Sequence, residues 1–232
     1  MAGQIVIVTG GGRGIGRAVC RRFAAEGDRV VAAARSPEEL EETRRIIAAE
    51  GGQCVTQPTD VSSPDDIDAL IETTLRRERR IDVLVNNAGA APQSEIEDLD
   101  ENLFRAILSV NVDAVYRGCR SVWPVMVRQG GGVIVNLSSV ASVDPFAGFT
   151  AYGAAKAWVN AWTRGLADEG KRVGIRVFAV APGAVETKML RDPFPDFPRE
   201  QALDPADVAD MVFTLAQPAC RHMTGQTVFV KK

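Results

Sequence analysis

Short apolar, β-branched runs alternate along the chain with longer amphipathic stretches. The short runs predict strands, and the amphipathic stretches, with apolar residues three and four apart, predict helices. The predicted strands cover residues 4–9, 29–34, 54–57, 82–86, 132–137, 173–180 and 227–230. The predicted helices cover residues 14–26, 37–50, 64–79, 100–128, 151–169 and 205–215.

The predicted strands are continuously apolar and do not alternate between polar and apolar residues. This pattern is typical of strands buried on both faces, and its alternation with helices predicts an α/β fold: one doubly wound parallel sheet of about seven strands with helices on both faces. No linker, repeat or low-complexity tract divides residues 1–232, so we expect one domain. In such a sheet, ligands bind beyond the carboxyl ends of the strands.

Composition narrows the class of partner. The formal net charge is −3 over 232 residues, which gives no global positive field for nucleic acid or an anionic membrane. The four cysteines form no Cys-x-x-Cys pair and the sole histidine is His222, so we expect no disulfide framework and no metal site. The N-terminal residues lack the features of a signal peptide, and a cytoplasmic location is expected.

A glycine-rich segment follows the first predicted strand and leads directly into a predicted helix. Its glycines permit a tight turn and close approach of a pyrophosphate, while the helix N-terminus offers unpaired N–H groups. A flexible turn is the alternative, but the strand before and the helix after it favour dinucleotide binding. The candidate residues are Gly10, Gly12, Arg13, Gly14, Ile15 and Gly16.

The second predicted strand ends without the carboxylate that NAD-binding proteins place on the ribose hydroxyls. The chain reads Ala34-Arg35-Ser36 at this point. Arg35 and Arg13 offer permanently charged, bidentate groups for a 2′-phosphate, although each is also compatible with a solvated surface position. The pair favours NADP(H) and leaves NAD(H) as a possible cofactor.

Tyr152 and Lys156 are four residues apart in a predicted helix and therefore share a face. A lysine ammonium beside a phenol is expected to lower the pKa of the phenol, which makes it a usable acid or base. Ser139 follows the fifth predicted strand, at the edge that this helix can reach. Taken alone, a Tyr and a Lys at this spacing are usually surface residues.

The order of these motifs makes the sequence resemble a classical short-chain dehydrogenase/reductase, and in particular its 3-oxoacyl-carrier-protein reductase branch. Over nearly the whole chain, the matching residues are Thr9-Gly10-x-x-x-Gly14-x-Gly16, Asn86-Asn87-Ala88-Gly89, Asn111, Ser139, Tyr152-x-x-x-Lys156 and Pro182-Gly183. The resemblance implies a Rossmann-type NAD(P)-binding fold and hydride transfer between NADP(H) and a carbonyl or secondary alcohol.

The resemblance also implies catalytic roles for four residues. Tyr152 would be the general acid or base, and Lys156 would lower its pKa and bind the nicotinamide ribose. Ser139 would hold the substrate oxygen, with Ser138 as the alternative. Asn111 would kink its helix and hold a water that leads protons to solvent.

Further cofactor contacts are implied by position. The adenosine side would involve Asp60 and Val61 beside the adenine ring, and Asn87, Ala88 and Gly89 beside its ribose. Asp60 also has the position of a helix cap before Pro64, and both roles are compatible. The nicotinamide side would involve Pro182, Gly183, Val185 and Thr187.

Several questions stay open at this level. The resemblance implies a homodimer or homotetramer, and the Asp-Gly-Gly tail that helps many relatives assemble is missing after Lys232. The proline-rich residues 192–198 fit a substrate-covering loop and a rigid connector equally well. The small-molecule substrate that the resemblance implies is a carbonyl compound or a secondary alcohol, with a 3-oxoacyl thioester as one example. The alternatives are a dehydrogenase of sugars, steroids or other small alcohols, and a non-catalytic dinucleotide sensor.

Overall fold

The structure, a computed structural model, describes residues 3–232. Its sheet contains seven parallel strands in the order β3-β2-β1-β4-β5-β6-β7, which confirms the predicted fold class. The strands are β1 Ile5–Thr9, β2 Arg29–Ala34, β3 Gln53–Pro58, β4 Val83–Asn86, β5 Gly132–Leu137, β6 Ile175–Pro182 and β7 Thr227–Val230.

Eight α-helices accompany the sheet within the described residues. They are α1 Gly14–Ala25, α2 Pro37–Ala49, α3 Pro64–Glu78, α4 Glu101–Leu108, α5 Ala114–Arg128, α6 Thr150–Gly170, α7 Lys188–Arg191 and α8 Pro205–Ala216. The prediction of one helix over 100–128 was incomplete, because a π-helical segment, Ser109–Asp113, separates α4 from α5. Helix α7 was not predicted.

The core lies on both faces of the sheet. Successive strand residues point to opposite faces, so Val6 and Val8 belong to one buried cluster and Ile7 to the other. The first cluster also holds Phe23 of α1, and the second Val122 of α5. Helices therefore cover both faces, as the continuously apolar strands predicted.

The strand order reverses between β1 and β4. The chain leaves β1 toward β2 and β3 and then returns to β4 on the other side of β1. The loops after β1 and β4 consequently diverge at the carboxyl edge and leave a crevice, the position where doubly wound sheets bind ligands. No helix among residues 3–232 has the length and apolar character needed to cross a bilayer.

Candidate active site

The loop after β1 makes a turn that only small residues permit. Gly10 has a φ of +68°, and a Cβ on Gly16 would lie 2.1 Å from the Gly10 carbonyl oxygen. Helix α1 begins immediately afterwards, and its N-cap residue, Arg13, makes no side-chain capping bond. Its first turn contains no acidic residue, so the N–H groups at this helix end suit an anionic ligand.

The loop after β4 is tied to the end of β1. The Asn87 and Ala88 backbone N–H groups donate to Thr9 Oγ1 at 3.0 and 3.1 Å. Asn87 Nδ2 donates to the Thr9 carbonyl at 2.8 Å. These bonds hold the two crevice loops together and commit the Asn87 amide to supporting the glycine turn.

Asn111 lies in the π-helical segment and is fully buried. Its Nδ2 donates to the Ile107 carbonyl at 2.9 Å and to the Ala90 carbonyl at 2.8 Å. The side chain thus links the π-helical segment between α4 and α5 to the loop after β4.

Lys156 and Asn111 approach each other at Gly89. A Cβ on Gly89 would lie 3.1 Å from Asn111 Oδ1 and 3.6 Å from Lys156 Nζ. Lys156 Nζ donates to the Leu137 carbonyl at 2.7 Å and lies 5.6 Å from the centre of the Tyr152 ring. Lys156 therefore lies beside residues of three other segments: β5, the π-helical segment and the loop after β4.

Burial dominates the protonation of the Tyr152–Lys156 pair. It raises the pKa of the Tyr152 hydroxyl, an effect that the Ser139 side chain opposes. It also lowers the pKa of the Lys156 ammonium to about 8. A lowered Tyr152 pKa is not found in this structure, because the loss of solvent around the phenol outweighs the opposing Ser139 hydrogen bond.

The two candidate serines have different surroundings. Ser138 is buried and its hydroxyl donates to the Lys156 carbonyl at 3.1 Å, so it stabilises the contact between β5 and α6. The Ser139 hydroxyl accepts from the Ala141 N–H at 3.1 Å and still has a proton to donate. The Ser139 side chain lowers the pKa of the Tyr152 hydroxyl, whereas Ser138 is the serine that lines the cavity.

The loop after β6 approaches the glycine turn from the opposite side. Gly183 donates its N–H to the Val230 carbonyl at 2.9 Å, and Val185 is buried. The Thr187 hydroxyl donates to the Val185 carbonyl at 3.2 Å. A Cβ on Gly14 would lie 3.2 Å from Thr187 Cγ2, which shows how closely the two loops approach.

The carboxyl ends of β2 and β3 form the far end of the crevice. Asp60 accepts from the Ser62 hydroxyl at 2.7 Å and from the Ser62 N–H at 2.9 Å, and these bonds, with a smaller contribution from Arg35, lower its pKa. The helix-cap role considered for Asp60 is wrong, because Ser63 is the N-cap of α3. Arg35 is exposed at the rim.

One cavity of about 740 Å³ connects these features, a volume typical of small-molecule sites. Its lining includes the glycine turn, Arg35, Asp60, Tyr152, Lys156 and Thr187. The Tyr152 phenol and the N-terminus of α1 therefore line the same cavity.

Known proteins share both the sequence and this architecture. The family model described as short chain dehydrogenase matches residues 4–196. The 3beta-hydroxysteroid dehydrogenase 1 of Eggerthella lenta is 38% identical, with 99% of this chain and 93% of that protein covered. The chain belongs to the short-chain dehydrogenase family.

Solved structures of known reductases superimpose closely on this chain. An actinorhodin polyketide ketoreductase variant with NADPH has a TM-score of 0.94 at 31% identity and covers 99% of this chain and 96% of its own. The 3-ketoacyl-(acyl-carrier-protein) reductase from Brucella melitensis, complexed with NADH, has a TM-score of 0.91 at 30% identity, with 99% and 97% covered. The oxidoreductase class and the Rossmann-type fold are therefore shown.

The residues of this short-chain dehydrogenase fit a nicotinamide dinucleotide. A side chain on Gly10 would meet Asn87 Nδ2 at 2.7 Å, so glycine keeps the cradle open where backbone must approach a pyrophosphate. The uncapped start of α1 supplies N–H donors, and the cavity has sufficient volume for a ligand.

Most of the predicted site residues line the cavity, but not all of them. Asn111, Ser139, Gly183 and Val185 are outside its lining. Sequence reasoning missed Glu39, which lines the cavity beside Arg35, and the wall formed by Ala90, Pro92, Ile107, Val110 and Met189. Glu39 gave no local signal because it reads as an ordinary polar residue in the first turn of α2.

Proposed function

We propose that this short-chain dehydrogenase reduces a carbonyl to a secondary alcohol with NADP(H), and that Tyr152 is the general acid. The observation that supports this most strongly is the shared cavity: the Tyr152 phenol and the glycine turn line it together, and Lys156 lies beside the phenol. A protein that only sensed dinucleotides would not require this phenol at the cavity wall.

The bound cofactor would supply the hydride. Tyr152 would donate its proton to the substrate oxygen, and Ser139 would hold that oxygen with its free hydroxyl proton. Lys156 would stabilise the negative charge that develops on the phenol oxygen as the proton leaves. Asn111, linked to Lys156 through Gly89, would position the water that returns a proton from solvent.

The proposed cofactor contacts follow the cavity from end to end. Arg13 and Arg35 would bind the 2′-phosphate, Asp60 and Val61 would lie by the adenine, and Gly10 to Gly16 would hold the pyrophosphate. Asn87, Ala88 and Gly89 would contact ribose, and Pro182, Gly183, Val185 and Thr187 the nicotinamide. The solved relatives with NADPH and with NADH support NADP(H) as the favoured cofactor and NAD(H) as an alternative.

For the substrate, we propose a 3-oxoacyl thioester or a similar carbonyl compound. The similarity to the Brucella melitensis 3-ketoacyl-carrier-protein reductase supports this class. The apolar wall formed by Ala90, Pro92 and Met189 suits an acyl chain beside the reacting carbonyl.

The first experiment is titration of the purified protein with NADPH and NADH at one salt concentration, followed by nicotinamide fluorescence. We expect tighter binding of NADPH. Oxidation of NADPH is then measured with acetoacetyl-CoA, a steroid ketone and a keto sugar. Reduction of the thioester alone supports the proposed substrate, reduction of only another ketone reassigns it, and binding of neither cofactor overturns the function.

The pH dependence of the reaction has a definite expected sign. Burial lowers the pKa of Lys156 to about 8 and raises the pKa of Tyr152, so below about pH 8 the lysine is charged and the phenol is protonated. Above this pH Lys156 loses its charge and no longer stabilises the phenol oxygen. We expect kcat/KM for reduction to be level below about pH 8 and to fall above it. A rise in kcat/KM through this range would contradict the proposal.

We also propose that the protein is a homodimer or homotetramer assembled through the helices near Asn111 and Tyr152. A row of three aromatic rings supports this. Trp158 stacks on Trp162 with 5.1 Å between ring centres, and the ring of Tyr116, which is 41% exposed, lies 5.7 Å from that of Trp162. Sedimentation at the 24.9 kDa mass of one chain would contradict it. One domain over residues 1–232 and a cytoplasmic location stay predictions.

A further inference from the structure

An acidic side chain shares the part of the cavity proposed for the 2′-phosphate. Glu39 lies in the first turn of α2 and lines the cavity beside Ala34, Arg35 and Ser36. Arg13 Nη1 donates to Glu39 Oε1 at 3.0 Å. One of the two cations proposed for the phosphate is therefore already paired with a carboxylate.

The backbone of Glu39 is held firmly against the glycine turn. Its N–H donates to Ser36 Oγ at 3.2 Å, and its carbonyl accepts from Thr43 Oγ1 at 3.0 Å. The buried Thr43 hydroxyl also lies 3.1 Å from the Gly12 carbonyl oxygen, and a Cβ on Gly12 would meet Glu39 Cβ at 3.0 Å. The carboxylate can change its rotamer, while these contacts keep its helix turn beside the glycine turn.

The charges in this region do not all favour a phosphate. Arg13 and Arg35 contribute two positive charges, and Glu39 removes one of them. A 2′-phosphate that binds Arg13 must displace the carboxylate and then remain close to it, which costs like-charge repulsion. A cofactor without the 2′-phosphate leaves the Arg13–Glu39 pair intact.

We propose that Glu39 is a specificity-determining residue that lowers the preference for NADP(H) over NAD(H) by competing with the 2′-phosphate for Arg13. This inference rests on the proposed function. Arg13 and Arg35 would raise the affinity for the 2′-phosphate, and Glu39 would lower it. The wild-type protein would therefore discriminate between the two cofactors less strongly than the two arginines alone would allow.

The test is the change in affinity on Glu39→Gln, which removes the charge and keeps the shape. Dissociation constants for NADPH and NADH are measured by nicotinamide fluorescence. We expect NADPH to bind about five-fold more tightly and NADH to change by less than about two-fold, since an exposed ion pair near the rim has an effect of this size. The gain should shrink at about 0.5 M salt, where exposed charges are screened.

Glu42→Gln is the matched control. Glu42 lies in the same helix and pairs with Arg45 at 2.9 Å, but it does not line the cavity. This variant loses the same charge and should leave both dissociation constants unchanged. An equal effect of the two variants on NADPH would mean that net charge alone is responsible, and would overturn the inference.

The combined variant Arg13→Ala/Glu39→Gln tests the mechanism of competition. Without Arg13 there is nothing to compete for, so Glu39→Gln should no longer improve NADPH binding in that background. A five-fold gain that persists would overturn competition for Arg13. If the wild-type protein binds neither cofactor, the proposed function fails; if it binds NADPH and Glu39→Gln changes nothing, only the inference fails.

Discussion

Tyr152→Phe should reduce carbonyl reduction by about a thousand-fold and change the NADPH dissociation constant by less than about two-fold, because general acid catalysis by a positioned side chain contributes on this scale. The substitution removes only the hydroxyl. The ring that lies 5.6 Å from Lys156 remains, so the shape of the cavity and the position of the lysine should be retained. Turnover is measured from NADPH absorbance and binding from nicotinamide fluorescence.

The chain supplies a matched control, because Tyr116 is its only other tyrosine. Tyr116 lies on α5, is 41% exposed and contacts Trp162 through its ring. Tyr116→Phe loses the same hydroxyl outside the lining of the cavity and keeps the aromatic contact, so turnover should stay at the wild-type level. Equal turnover in the Tyr152 and Tyr116 variants would exclude Tyr152 as the proton donor.

The strands were predictable because their signal is local. In a parallel sheet covered on both faces, each strand is a continuous apolar run, and the observed bounds differ from the predicted ones by two residues or fewer. The break between α4 and α5 was different. It depends on the Asn111 amide, which donates hydrogen bonds to the Ile107 and Ala90 carbonyls. The spacing of apolar residues along a helix does not indicate such hydrogen bonds.

Helix α7 escaped prediction because it has only four residues and depends on contacts from outside it. The Arg191 guanidinium bonds to Glu186 and to the Phe197 carbonyl, and thereby ties α7 to the proline-rich residues that follow. Phe194 in that segment packs on Phe149, 5.9 Å between ring centres, immediately before α6. The segment is therefore anchored at the edge of the site, an arrangement that its prolines alone did not indicate.

The sequence predicted which residues form the site, but not their pKa values or the ion pair between them. Spacing placed Tyr152 and Lys156 on one face of a helix, yet the pKa values depend on burial by elements far away in sequence. The Arg13–Glu39 contact joins residues 26 positions apart across two helix starts. Neither effect can be obtained from a motif, because both arise from packing between elements.

Gly16→Ala should weaken NADPH binding by more than about a hundred-fold, because several N–H contacts to a pyrophosphate are lost together. The added Cβ would lie 2.1 Å from the Gly10 carbonyl oxygen and 2.6 Å from Asn87 Nδ2. Neither atom can yield easily, since Gly10 belongs to a turn with φ of +68° and Asn87 bonds to the end of β1. The glycine turn must therefore open, which moves the start of α1 away from the ligand.

Gly165→Ala separates this steric effect from the general consequence of adding a methyl group to a helical glycine. Gly165 lies within α6, and a Cβ there would have no atom within 4 Å apart from its chain neighbours and the backbone of its own helix. This variant should gain about 1 kcal/mol in the free energy of unfolding, because alanine loses less conformational freedom than glycine on entering a helix.

Urea unfolding and NADPH titration are measured for both variants. If Gly16→Ala is less stable but binds NADPH as tightly as the wild type, the turn after β1 supports the fold without holding the pyrophosphate. If it loses binding while Gly165→Ala keeps it, the close approach of Gly16 to Gly10 is what shapes the cofactor site.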